Sequence, residues 1–406
     1  MRNTISALLL GTAMVLSVAG VASADDKTVK IGVLSDQSGL YADLAGPGST
    51  LAAQMAIEDS GLKAKGWTID LISGDHQNKP DIGTTIARQW FDVDKVDTIV
   101  DVPNSGVALA VNNVVKEKNG VYINSGAATS DLSNAQCTPN TVHWTYDTYM
   151  LAHATGQALV KAGGDTWFFL TADYAFGAAL ERDTTAVITA NGGKVVGGVK
   201  HPLNTADFSS FLLQAQASKA KIIGLANAGG DTTNSIKQAA EFGIVKGGQK
   251  LAALLLFLTD VKAIGLETAQ GLNFTETFYW DLNDNTRAFS KRFSEKMKSG
   301  APPTMVQAGV YAGLLHYFKA LEALGGNPHD GAKVVAKMKT IPTDDPLFGK
   351  GEVEANGRVT HDAYLFEVKK PSESKGPWDF YKLVGTVPGD QAFTPLDKST
   401  CALLKK

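Results

Sequence analysis

The stretch Val121-Tyr122-Ile123-Asn124-Ser125-Gly126-Ala127-Ala128-Thr129-Ser130-Asp131-Leu132 sets a short apolar run against six side chains of almost no bulk. Residues 121–124 have the length and composition of a buried strand. Residues 125–130 have the composition of a surface loop or of a pocket wall made of backbone. The choice depends on what else lies at the same end of the same sheet.

Outward from this stretch, short Val/Ile/Leu-rich runs alternate with longer amphipathic segments. Strands are expected at 30–35, 68–73, 97–102 and 121–124, with helices near 48–60, 81–94 and 105–118. The rhythm repeats with strands at 166–171, 194–199, 221–226 and 251–258. Its helices fall near 148–163, 176–191, 207–218 and 231–243. Unbroken apolar strands separated by helices read as parallel sheets covered on both faces. The fold class is therefore α/β, with two doubly wound, Rossmann-like lobes. One more strand is expected at 271–280, then helices at 284–299, 304–325 and 330–340. The alternating segment 352–368 holds Asn356-Gly357, a hairpin signal. A hairpin after a return to helices implies that the chain passes between the lobes more than once.

In open α/β sheets, ligands sit beyond the carboxyl ends of the strands. The segments there are DQSGLYADLAGPGS, PNSGVALAV, SGAATSDL, ADYAFGAAL and NAGGDTTNS. All are rich in small or polar residues, and together they describe a cleft with 124–130 as one wall. Asn104 and Ser105 open the helix at 105–118, and Thr129, Ser130 and Asp131 open the next turn. Helix-opening amides of this kind attract an anion, although each residue is also an ordinary cap. Tyr41, Tyr174 and Phe176 supply aromatic area to the cleft loops. Asn227 and Asp231 flank Ala-Gly-Gly, and Asp231 is equally an N-cap for the helix after it.

The amino terminus reads as a secretory leader over residues 1–24: Arg2, an apolar run, then Ala22-Ser23-Ala24. Without a lipoprotein cysteine at the cleavage point, a soluble exported product is expected. Removing 24 of 406 residues leaves 382, enough for two domains, and loss of Arg2 takes the formal charge from −3 to −4. That balance offers no basic stripe for nucleic acid. Cys137 and Cys401, the only cysteines, are expected to pair in an oxidising compartment. Seven histidines show no metal-ligand spacing, and Asp75-His76 after the second strand is a weak pair. No P-loop, dinucleotide fingerprint, nucleophile elbow or zinc motif occurs, so no cofactor, no metal and no catalytic residue is expected.

The motifs KIGVLSDQSGLYADLAGPGS (30–49), NSGAATSDL (124–132), TADYAFG (171–177), KQAAEFGI (237–244) and QAGVYAGLLHYFKAL (307–321), in this order, resemble the type I periplasmic solute-binding proteins of ABC importers. The similarity is to the leucine/isoleucine/valine-binding group. It implies two lobes joined by three crossovers, near 144–148, 279–282 and 344–350. The first lobe would comprise 25–146 and 282–345, the second 147–281 and 346–385. The tail 386–406 would be tied down by the disulfide. It implies a periplasmic monomer that hands a small ligand to an inner-membrane permease; a ligand-presenting sensor and a secreted α/β enzyme are the alternatives. The resemblance places the ligand carboxylate against Asn104 or Ser105 and against Ala127, Ala128 and Thr129. It matches an aromatic contact to Phe176, with Tyr174 close by, and a further contact to the Asn227–Ala228 region. One departure stands out: the glutamate that pairs the ligand ammonium in the amino-acid binders is replaced by Leu254 or Leu255. This leaves two readings. Either the ligand is an acid without an amine, or Asp231 or Asp260 pairs the ammonium instead.

Overall fold

A computed structural model describes residues 26–404; the expected leader at 1–24 lies outside them. Five parallel strands form the first sheet: β1 (Thr28–Ser35), β2 (Thr68–Asp75), β3 (Thr98–Asp101), β4 (Val121–Asn124) and β5 (Thr141–His143), in the order β2-β1-β3-β4-β5. Four more form the second: β6 (Thr166–Ala172), β7 (Lys194–His201), β8 (Ile222–Ala226) and β9 (Lys250–Ala253), in the order β7-β6-β8-β9. β3, β4 and β8 are buried along their whole length, as expected of strands covered on both faces. The molecule is thus two doubly wound α/β lobes. In each sheet the order reverses beside the first strand, β1 or β6, and a crevice for a ligand is expected there.

The remaining strands are β10 (Asn273–Glu276), β11 (Thr343–Asp345), β12 (Gly349–Val353), β13 (Val359–Thr360), β14 (Ala363–Val368) and β15 (Tyr381–Val387). They form two antiparallel sheets, β10-β14-β15 and β11-β12-β13. Gly357, at φ +88°, turns the chain from β12 to β13, where Asn356-Gly357 signalled a hairpin. That hairpin ends at Thr360, and β14 leaves it to pair with β10 and β15. Two expected strands are shorter than their apolar runs. The run 251–258 ends as strand at Ala253, because the Asp260 carboxylate accepts the Phe257 amide at 2.9 Å and starts the helix Leu258–Ile264. Of 271–280 only 273–276 is paired.

The chain leaves the first sheet after His143 and enters the helical segment that starts at Thr148. After β10 it passes to the helix Asp284–Lys296, whose Arg292 and Lys296 pair with Asp59 and Glu58. β13 adjoins β5 through a bridge between His143 and Arg358, so the chain is still beside the first sheet at 358. Arg358 is 1% exposed. Its guanidinium donates to Trp144 O at 2.6 Å, Tyr146 O at 3.3 Å and Val359 O at 3.0 Å, with Asp147 Oδ2 at 3.7 Å. The ring of Phe393 lies over it, with 4.2 Å from Cζ to the centroid.

Cys137 and Cys401 are bonded, with their Cα atoms 5.6 Å apart. The loop closed is 264 residues long by sequence separation. For a loop of that order the chain-entropy contribution is roughly 5 kcal/mol. Ser399 Oγ adds a bond to Asn134 Oδ1 at 2.8 Å, so the tail is fixed beside the turn Ser130–Ser133.

Replacing Arg358 by leucine leaves the Asp147 carboxylate, also 1% exposed, without its cation. The unfolding free energy should fall by about 3–5 kcal/mol, read from urea titration of the folded protein.

Candidate functional site

The segments after β1, β3, β4, β5, β6, β8 and β9 meet between the lobes. They enclose a cavity of about 10 Å³ lined by Tyr41, Leu44, Pro103, Ala128, Tyr146, Tyr174, Phe176, Ala228, Leu255 and Phe257. The volume suffices for about one water molecule. Half of the lining is aromatic, and none of it is charged.

Tyr41 is placed by Asp36, the residue after β1, whose carboxylate accepts the amides of Gly39 at 2.7 Å and Tyr41 at 2.8 Å. The Tyr41 hydroxyl meets that of Tyr174 at 2.6 Å, a bond from one lobe to the other. Burial holds both phenols protonated, the Tyr41 pKa being pushed well above its ordinary value. Gly229, at φ +59°, permits the close approach of β8's loop to this corner. A Cβ there would stand 3.0 Å from Leu40 O and 3.1 Å from the Tyr41 ring.

The small-residue loop is held from within. Asn124 donates to Ala127 O at 2.7 Å and accepts the Ala127 amide at 2.9 Å. Tyr146 donates to Gly126 O at 2.7 Å. A Cβ at Gly126 would fall 2.6 Å from Asp101 Oδ1 and 2.7 Å from Pro103 Cα, so no larger residue fits there. On the neighbouring strand, Asp101 and Val102 have φ of +78° and +59°. For a β-branched residue that is strained, at a cost on the order of 1–3 kcal/mol. The distortion turns Pro103 toward the cavity at the end of β3.

Of the sequence-derived candidates, Tyr41, Ala128, Tyr174 and Phe176 line the cavity. Ser105 and Thr129 are outside its lining and bonded to each other: Ser105 Oγ accepts the Thr129 amide at 3.2 Å. Ala127 belongs to the same loop. Asn104 caps the helix Ser105–Lys118, its Oδ1 accepting the Gly106 and Val107 amides at 2.9 and 3.1 Å. Asn227 and Asp231 do not line it. The Asn227 carboxamide accepts from Thr232 Oγ1 at 2.8 Å and meets His201 Nε2 at 3.2 Å. Asp231 accepts the amides of Asn204 and Thr205 at 3.1 and 2.8 Å and so fixes the loop after β7. Asp260, the other carboxylate considered for an ammonium, is committed to Phe257 N.

Sequence reasoning did not single out Leu44, Pro103, Tyr146 or Phe257. Tyr146 sits in the first passage between lobes, where no strand or helix pattern marks it. Phe257 lay inside an apolar run read wholly as strand. His76 is fully buried, its pKa lowered to about 4 by burial, and it accepts the Asn78 amide at 3.0 Å. It is a core histidine beneath the loop that carries Asp36.

Similarity to known proteins points to the same architecture. A family model for periplasmic binding proteins matches residues 28–376, and the chain belongs to that family. A periplasmic binding protein of Burkholderia mallei is 53% identical, with TM-score 0.90, over 93% of this chain and all of its own. A branched-chain amino acid ABC transporter periplasmic ligand-binding protein of Burkholderia xenovorans LB400 is 44% identical, with TM-score 0.82, over the same shares. A Leu/Ile/Val-binding protein homolog 6 of Brucella melitensis is 26% identical over 88% of this chain and 92% of its own.

Burial raises the Asp260 pKa from an ordinary 3.8 to about 7. A carboxyl whose folded pKa is raised stabilises the fold when protonated, and that contribution is lost as pH rises through the folded value. Stability should therefore fall between pH about 4 and 7 through this group. Asp260→Asn, which keeps an oxygen for the Phe257 amide, should flatten that part of the curve in thermal melts across the range.

Proposed function

We propose that this protein captures a small carboxylic acid without an amine between its lobes and delivers it to an ABC importer permease in the inner membrane. The observation that carries the choice of ligand is the uncharged lining, in which Leu255 takes part and no carboxylate does. A desolvated ammonium without a counter-charge costs several kcal/mol. Asp231 and Asp260, the candidates to supply that charge, are engaged with backbone amides. The carboxylate would rest against the Ser105 hydroxyl, the Ala128 amide and the Thr129 hydroxyl, since the Ala127 and Thr129 amides are already bonded to Asn124 Oδ1 and Ser105 Oγ. The apolar body of the ligand would lie among Tyr41, Tyr146, Tyr174, Phe176 and Phe257. Area of this kind, with a few placed polar groups, suits an aromatic or aliphatic acid.

The role is binding, not catalysis. Ligand favours the closed form because only that form makes contacts from both lobes. Family membership and the Ala-Ser-Ala leader support a periplasmic location, and we take the protein to act as a monomer. The first lobe is assigned to 26–146 and 282–360, the second to 147–281 and 361–387. The third passage thus falls at 361–362, after β13 and not near 344–350, on the strength of the His143–Arg358 bridge.

The test is a thermal-shift panel of the mature protein with branched-chain amino acids on one side and amine-free acids, aromatic ones included, on the other. A ligand at ~100 times its Kd adds about 2.7 kcal/mol of apparent stability. A shift with amine-free acids alone is expected; a shift with leucine or its relatives would overturn the assignment. Ser105→Ala should weaken the acid that binds by about tenfold, the worth of one hydrogen bond to a charged group, in a calorimetric titration.

A further inference from the structure

The helix Ala175–Ala190 brings Phe176 to the cavity, and about two turns later it carries Arg182 and Asp183. These two charges reach across to the first lobe and meet the turn that ends the small-residue loop. Arg182 Nη1 lies 3.0 and 3.2 Å from the two carboxylate oxygens of Asp131. Its Nη2 donates to Ser130 Oγ at 2.9 Å, and its Nε donates to Asp183 Oδ1 at 2.8 Å. Asp183 Oδ2 accepts from Ser130 Oγ at 2.8 Å and from Thr148 Oγ1 at 2.6 Å. Ser130 therefore directs its proton to Asp183 and a lone pair to Arg182. Asp131 in turn accepts from the Thr129 hydroxyl at 3.3 Å. A continuous set of bonds leads from a helix of one lobe to the loop proposed to hold the ligand carboxylate in the other.

We propose that Arg182 and Asp183 are positioning residues that latch the closed arrangement and set the Thr129 loop, without touching ligand. An exposed ion pair contributes little by itself. This one differs in two respects. Arg182 engages three partner residues at once. The Asp183 side chain is only 13% exposed. The contact joins groups from both lobes, so it is made in full only when they are together. It adds to the stability of the closed form whatever the ligand. The Arg182 and Asp131 side chains keep 51% and 29% exposure. Dissolved salt therefore reaches the pair.

Small-angle scattering of the ligand-free protein tests this, and it depends on the lobes parting, not on which acid binds. The samples are the wild type, Arg182→Ala, Asp131→Asn, the double variant and Arg182→Lys, each confirmed as folded by its melt. Loss of the latch should raise the radius of gyration, as expected for hinged opening. The double variant should open no further than Arg182→Ala alone, because Asp131 acts in the latch through Arg182. Arg182→Lys, which keeps the charge and loses the fork, should fall between. In about 1 M salt, where the screening length is about 3 Å, the wild type should match the variants and the variants should not change. Equal radii for the wild type and all folded variants, unaltered by salt, would overturn the latch, as would additive effects in the double variant. Should Arg182→Ala fail to fold, Asp131→Asn with the salt series decides alone. Neither result bears on the thermal-shift panel, so the ligand assignment stands or falls separately.

Discussion

Arg358 in the passage between the lobes is the group on which the rest depends. A guanidinium removed from water is costly unless its donors are met and its charge is paired. Here three backbone carbonyls and Asp147 meet it, and two of those carbonyls belong to the first passage, at Trp144 and Tyr146. The arginine itself stands just before β13, and five residues later the chain has moved to β14. His361 adds a bond to the same Trp144 carbonyl at 2.9 Å. Two passages that are more than two hundred residues apart in sequence are thus fastened to each other. Burial wins over attraction for both partners, lowering the arginine to about 10 and raising Asp147 to about 6. The tail completes this region by laying Phe393 over the guanidinium, and the Cys137–Cys401 bond keeps the tail there. One cross-link therefore serves both the passages and the turn beside the candidate ligand loop.

From that joint the two sheets project their carboxyl ends toward each other. The loops there are shaped by close contact more than by flexibility. Gly126 fits only because nothing extends from its Cα toward Asp101 and Pro103. The strained backbone at Asp101 and Val102 persists because the buried surroundings fix it. Ser35 donates to the Asp101 carboxylate at 2.7 Å, and the Tyr122 hydroxyl reaches the Asp101 carbonyl at 3.4 Å. Strain of this kind, next to a crevice between lobes, marks a site whose form matters more than its stability.

The alternation of apolar strands and helices was legible in the sequence because the central strands are buried on both faces and carry an unbroken Val/Ile/Leu signature. β5 was not, since Thr141-Val142-His143 has one apolar residue and is three residues long. The run 251–258 misled for a different reason. Leucines at a strand end and at a helix start look alike, and only the reach of Asp260 back to Phe257 separates them. The alternation over 352–368 signalled the β12–β13 hairpin but not that β14 within it pairs with β10 and β15, because alternation reports a half-buried strand and not which sheet it enters. At the site, the small-residue loop and the aromatics of the first βα segments could be picked out by position after a strand. Asn227 and Asp231 have the same position and polarity, yet their side chains serve His201, Thr232 and the 204–205 amides. A polar residue at a strand end binds either a ligand or its own loop, and sequence position does not distinguish the two.

The closed cavity also constrains how a ligand enters. Its volume is that of about one water, while Tyr41 and Tyr174 share a hydrogen bond across it. An acid with any carbon skeleton needs the lobes to part or these side chains to turn. If the phenols separate, each loses a partner in a site from which water is largely excluded, and the loss must be offset by groups on the ligand or by bonds to solvent at the rim. A ligand with a second polar group opposite its carboxylate would restore that bond from within. A purely apolar body would leave the phenols to find water. If the ligand is the proposed acid, the tyrosine pair would give the site a means of ranking acids by what they carry at the far end, a discrimination that the proposed carboxylate loop by itself would not provide.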